Sequence, residues 1–108
     1  MKKKFKPLQQ VKGFIERQSD DIKAEYELIV NKLQYEGKLS MPFGEKVDSS
    51  LFAIRVIRAG NIRVFYLYGK DNRIYGIYGY VKKTRTIPLK EINFAKKISK
   101  LLKREGKI

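Results

Sequence analysis

Two arginines and a short basic run stand out against apolar surroundings. Arg55 and Arg63 interrupt stretches of Ile, Val and Phe, and Val81-Lys82-Lys83-Thr84-Arg85-Thr86 follows a third such stretch. A guanidinium inside an apolar strand costs several kcal/mol unless it is paired or placed at an opening. Arg63, between Ile62 and Val64, therefore needs either a carboxylate, with Glu45 and Asp48 as candidates, or a ligand. Planar guanidinium and mobile ammonium groups beside hydroxyls suit phosphate, and a Lys can shift its pKa enough to exchange a proton. Taken alone, a basic run is more often a solvated loop, so the other features of the chain must decide.

The chain has no Cys and no His, which excludes disulfides, thiolate metal sites, cysteine nucleophiles and His-based triads. Any acid–base chemistry falls to Lys, Arg, Tyr, Asp or Glu. Twenty-five Lys and Arg against eleven Asp and Glu leave a formal charge of +14 on 108 residues. Such an excess favours a polyanionic partner, and nucleic acid is the commonest. Tyr66, Tyr68, Tyr75, Tyr78 and Tyr80 could stack bases, although alternating Tyr are more often half-buried sheet residues.

These residues must be positioned by regular elements. Leu8, Val11, Phe14 and Ile15 recur at helical spacing, and Ser19 to Asp21 can cap a second helix carrying the stripe Ile22, Tyr26, Ile29, Val30 and Leu33 until Gly37 stops it. Residues 38 to 50 read as a loop. Residues 51 to 58, 62 to 68 and 73 to 81 read as a three-stranded antiparallel meander, and Pro88 opens a last helix with the stripe Ile92, Ala95, Ile98, Leu101 and Leu102. The expected fold is α+β: two N-terminal helices, an antiparallel β-meander sheet and a C-terminal helix, in a single domain over 1–108.

Turn length decides which cations meet. A three-residue turn at Ala59-Gly60-Asn61 puts Ile57 opposite Arg63 and brings Arg55 and Arg63 to one face, whereas a two-residue turn separates them. A five-residue turn between Tyr68 and Ile74 sets Arg63 opposite Gly79, with Lys83 on the same side. A four-residue turn selects Tyr78, Tyr80 and Lys82 instead. In either case cations are expected beside a glycine that leaves room for a sugar-phosphate backbone.

The stretch LFAIRVIRAGNIRVFYLY followed by NRIYGIYGYVKKTRTIPLKEINFAKK, from Leu51 onward, resembles HigB-like, phage-type members of the RelE/ParE toxin superfamily. The matching features are an Arg in the first meander strand, an Arg before a Phe-Tyr pair, and a Gly-aromatic-Val-Lys-Lys-Thr segment leading to Thr-x-Pro-x-x-Glu-Ile. The resemblance implies a small RelE-like fold and a metal-independent, cofactor-free endoribonuclease that cleaves mRNA on the ribosome. It also implies neutralisation by a helix-turn-helix, HigA-like antitoxin. It makes Arg63, Lys82 and Lys83 the expected catalytic residues, with Arg55, Arg58, Thr84 and Arg85 as RNA phosphate contacts. Because the RNA 2′-hydroxyl serves as nucleophile, the lack of His is no obstacle. Where RelE-type members place a Tyr early in the last helix, this sequence has Leu89 and Phe94, which leaves the general base unassigned.

Two other readings remain open: a ParE-like gyrase inhibitor without catalysis, and a plain basic nucleic-acid-binding module. Met1 to Lys6 is basic but runs into Pro7 and Gln9, so no signal peptide is expected. No run approaches the roughly 20 apolar residues of a membrane span. The expected location is cytoplasmic.

Overall fold

The computed structural model describes residues 2–108. In chain order the elements are β1 (Lys4–Pro7), α1 (Gln9–Glu16), α2 (Asp20–Glu36), β2 (Gly44–Lys46), β3 (Phe52–Val56), β4 (Ile62–Tyr68), β5 (Arg73–Val81) and α3 (Leu89–Arg104). The five strands form one mixed sheet in the order β1-β5-β4-β3-β2. β1 runs parallel to β5, and the other neighbours are antiparallel.

This corrects the expected arrangement at both edges. A strand precedes the two helices, and the loop before the meander contains the short β2. Both additions are edge strands, where Lys and Pro are tolerated because one side of the backbone has no ladder to complete. The basic segment Lys4-Phe5-Lys6-Pro7 is extended only because β5, far along the chain, offers it hydrogen bonds. Nothing local in its sequence signals that.

Alternation along the strands sorts the side chains onto two faces. Ile54, Val56, Ile62, Val64 and Tyr66 pack against Val11 and Phe14 of α1 and Tyr26, Ile29 and Leu33 of α2. Ala53, Phe65, Leu67, Tyr75 and Ile77 pack against Ala95 and Leu102 of α3. β4 is thus covered on both sides, and its residues 62–67 are all buried. Ser19 caps α2 by accepting the Ile22 N–H, and α2 ends on Gly37 at φ 80°, a left-handed conformation that glycine reaches without strain. No helix of the described residues is long and apolar enough to cross a membrane.

Two irregularities set the geometry that matters later. The β3–β4 connection spans residues 57–61, not three residues, and Val56 pairs with Ile62. The Glu25 carboxylate of α2 holds it by accepting the backbone N–H groups of Ile57, Arg58 and Ala59 at 2.7–3.1 Å. Burial pushes this carboxyl up, but the three backbone donors outweigh it and hold Glu25 below its ordinary value.

The second irregularity is a β-bulge in β5. Tyr68 pairs with Ile74 and Tyr66 with Gly76, but Phe65 pairs with Tyr78, so Ile77 is the extra residue. Both Ile77 and Tyr78 then belong to the α3 side, and alternation restarts one residue out of phase. Gly76 and Gly79 fall on the opposite side, where an added Cβ would lie 2.5 Å from Phe5 and 2.6 Å from Phe14. Gln10 of α1 locks the bulged segment by donating to the Gly79 carbonyl at 2.9 Å and accepting the Gly79 N–H at 2.8 Å.

Candidate functional site

Just beyond the bulge, Arg55, Arg63 and Tyr80 form a row across β3, β4 and β5, each directly opposite the next. All three lie on the α3 side. Because the β3–β4 connection has an odd number of residues, Arg55 and Arg63 share a face as the three-residue turn would also have required. The bulge decides the rest: the β4–β5 turn has the five-residue length, yet Arg63 faces Tyr80 and not Gly79. The expectation of a glycine opening beside the cations is therefore overturned, since Gly79 looks to the other face and Phe14 occupies its free side.

Arg63 is 3% exposed. Its Nη1 donates to the Asn61 Oδ1 at 3.1 Å and to the Ile62 carbonyl at 3.2 Å. Its Nε has no hydrogen-bond partner; the closest carboxylate oxygen, Glu45 Oε1, stands 3.8 Å away, beyond hydrogen-bond range. The ion pair anticipated with Glu45 thus exists at a distance that leaves the guanidinium unsatisfied. Arg55 donates through Nη1 to the Pro42 carbonyl at 3.0 Å, while its Nε is also buried without a partner. The Tyr80 hydroxyl is the third such atom.

Burial lowers the Arg63 pKa, the neighbouring Arg55 lowers it further, and Glu45 acts in opposition. Burial pushes the Tyr80 phenol up to about 12, with Arg63 pulling the other way. The phenol therefore keeps its proton at neutral pH. Two guanidinium N–H groups and one O–H, all buried and all without an acceptor, form a set that the oxygens of an anion would satisfy.

The basic run leaves the end of β5 just beyond this row. Asn61 fastens it to the β3–β4 turn: its Nδ2 donates to the Lys82 carbonyl at 2.7 Å and its carbonyl accepts the Lys82 N–H at 2.8 Å. Lys82 Nζ donates to the Arg85 carbonyl at 2.9 Å and the Thr84 hydroxyl to the Thr86 carbonyl at 2.6 Å, which folds residues 82–86 onto themselves. On one side lies a cleft of about 370 Å³ lined by Glu45, Lys82, Arg85 and Ile87 among others. On the other lies a cleft of about 270 Å³ lined by Tyr80, Lys83, Thr84, Pro88 and Glu91 among others.

Lys83 thus shares a cleft with Tyr80 of the row, whereas Lys82 shares the other with Glu45, the ion-pair partner of Arg63. Arg58 does not join them. It sits exposed in the β3–β4 turn with its N–H on Glu25. Sequence reasoning offered Tyr80 as a stacking or half-buried sheet residue and set it with the cations only for a four-residue β4–β5 turn; it took Glu45 only as a salt-bridge partner and gave no role to Asn61 or Glu91. Tyr80 was hidden by the bulge, which strand alternation cannot reveal. Glu91 carried a signal: an acidic residue in the first turn of a helix otherwise rich in Lys.

The family profile described as "Phage derived protein Gp49-like (DUF891)" matches residues 13–100. Among solved structures, a chain of the archaeal RelE-RelB complex from Pyrococcus horikoshii OT3 superposes with a TM-score of 0.62 at 20% identity, covering 80% of this chain and 100% of that one. That is a likeness of fold. No curated protein matches the sequence.

Proposed function

Because the chain belongs to the Gp49-like family of phage-derived proteins, a RelE/HigB-type toxin family, we propose that it is the toxin of a type II toxin–antitoxin pair and a ribosome-dependent mRNA endonuclease. The observation that carries this reading is the row of Arg55, Arg63 and Tyr80, whose three buried donor groups have no acceptor among the described residues. A phosphodiester supplies the missing oxygens.

In this mechanism the RNA 2′-hydroxyl attacks the adjacent phosphorus and the 5′-oxygen of the next nucleotide leaves, giving a cyclic phosphate. Arg63 and Arg55 stabilise the charge that grows on the non-bridging oxygens. Tyr80, protonated at neutral pH, donates a hydrogen bond to the same group. Lys82 and Lys83 stand beside the two clefts, where an ammonium group delivers a proton to the leaving oxygen while the proton of the 2′-hydroxyl passes to water. Thr84 and Arg85 hold flanking phosphates. No cofactor enters the scheme.

The partners follow from the same reading. The substrate is mRNA on the ribosome, which places the protein in the cytoplasm, and the neutralising partner is a cognate helix-turn-helix antitoxin. The solved RelE-RelB complex supports an antitoxin partner for a chain of this fold.

Primer extension on a defined mRNA, with and without translating ribosomes, tests the proposal. Cuts that need ribosomes and vanish in Arg63→Met and Lys83→Ala are expected. No cut in either condition would transfer the reading to a gyrase-directed toxin or a simple nucleic-acid-binding module.

A further inference from the structure

Glu91 has a burial that its helix does not explain. It is the third residue of α3 and only 8% exposed. A Glu at this position ordinarily reaches back to the backbone N–H of the residue that caps the helix. Here that residue is Pro88, which has no N–H to offer. Nor does Glu91 form a salt bridge among the described residues, although Lys83 and Lys90 line the clefts it lines. Its side chain is turned toward Tyr78, whose phenol is pushed up by burial, then by the charge of this carboxylate and by the hydrogen bond the phenol gives it, which leaves the carboxylate with further lone pairs to fill.

The surroundings of that carboxylate are aromatic. Glu91, Tyr78, Lys90 and Phe94 line a recess of about 290 Å³. Phe94 is 46% exposed, and its ring meets that of Tyr78 edge-on, with centroids 4.8 Å apart and planes at 72°. An exposed ring beside a buried acceptor and a nearby ammonium makes a place for a flat ligand with donors on one edge. Glu91 also lines the adjoining cleft of Tyr80 and Lys83, so the recess opens beside the row that would hold a phosphate.

We propose that this recess binds a guanine base of the RNA and sets the nucleotide preference of cleavage, with the base stacked on Phe94 and its Watson–Crick edge on Glu91. Guanine alone among the four bases presents two adjacent donors there, N1–H and N2–H, which a carboxylate accepts together. Its O6, beside them, is an acceptor for the Lys90 ammonium. Adenine and cytosine place a ring acceptor next to their amino group, and uracil flanks its single N–H with carbonyls, so each sets an acceptor against the carboxylate. Stacking on the ring is tolerant of the base; the edge is what discriminates.

This inference rests on the RNA-cleaving reading only for the polymer in which the base occurs, and its test is made without cleavage. The full chain is titrated with GMP, AMP, CMP and UMP, followed by NMR of the Phe94 and Tyr78 rings. GMP is expected to bind at least about tenfold more tightly than the others, from the usual worth of a two-pronged contact. Glu91→Gln, which keeps the shape but offers one acceptor in place of two, removes that preference, and Phe94→Leu weakens all four. Equal affinities, no binding to the rings, or a GMP preference retained in Glu91→Gln would overturn the proposal. A GMP preference in a protein that cuts no mRNA would overturn the nuclease reading alone. Cutting without a GMP preference would overturn only this one.

Discussion

Arg55 and Arg63 stand directly opposite each other on one face of adjacent antiparallel strands. Like charges in that relation repel, and here burial deprives Arg63 of the water that would screen it. Glu45, at 3.8 Å, relieves part of the strain. The site is therefore electrostatically incomplete as it stands, and an anion placed between the two guanidinium groups completes it.

Replacing Arg63 should harm function far more than stability. Arg63→Met keeps a buried side chain of similar length and removes one of two opposed charges, so the melting midpoint should stay level or rise. Cleavage should fall about 100-fold or more, the usual cost of losing one group that stabilises charge in the transition state. Added phosphate should raise the midpoint of the wild type and not of the variant. A midpoint lowered by about 10 °C would instead mark the Glu45 ion pair as structural.

The Tyr80 phenol stays protonated because burial has moved it to about 12. A raised pKa means that the folded protein holds this proton after the unfolded chain has released its own. Its stabilising contribution is thus complete below about pH 10 and is lost as pH climbs through about 12. Unfolding midpoints measured from pH 9 upward should fall less steeply in Tyr80→Phe. Between pH 6 and 9 the same variant should lower the cleavage rate by roughly tenfold without changing the shape of the pH profile. A changed profile would show that the phenol titrates during catalysis.

Glu25 should prove to be the main anchor between α2 and the β3–β4 turn. Glu25→Gln loses charge-assisted bonds to three backbone donors, and with partial exposure taken into account the loss should be about 1–2 kcal/mol in denaturant unfolding. Since its pKa is depressed, the wild type keeps this contribution above the ordinary value of 4.5 and loses it as the pH falls below. The acid limb of the stability curve should flatten in the variant. An unchanged limb would move the anchoring elsewhere.

Phosphate contacts at the basic run are countable by salt. Each phosphate neutralised on single-stranded RNA contributes about 0.7 to the slope of log affinity against log salt. Lys83→Ala should lower the slope by about that amount. Lys82→Ala should do at least as much, because its Nζ also secures the Arg85 carbonyl and the fold of the run. Arg58→Ala should leave the slope unchanged, as its turn is held on the α2 side. A drop for Arg58 equal to that for Lys83 would mean that RNA wraps farther round the molecule.

What could be read in advance follows from which forces are local. Ser19, Gly37 and Pro88 mark helix ends through the chemistry of single residues, and each stands where the structure begins or ends a helix. The spans of β4 and β5 show in runs of β-branched and aromatic residues. β1 does not show, because Lys4-Phe5-Lys6-Pro7 has no strand signal of its own and depends on a partner about 70 residues away. The candidate site was half legible. Arg63 announced itself as a charge in an apolar run, whereas Tyr80 became its neighbour only through the bulge at Ile77 and the Gln10 clamp on Gly79. Both depend on tertiary contacts that no window of sequence contains.

The bulge makes spacing an unreliable ruler for finding kin of this protein. Ile77 occupies no rung of the ladder, so a homologue lacking one residue at this point would still set its aromatic opposite the buried arginine. Counted along the chain, that homologue's lysines would be off by one and seem to point away from the site. Alignments that admit a single gap between Gly76 and Tyr78, and that weigh the face a residue occupies above its distance from Arg63, will gather relatives that a fixed-interval motif discards.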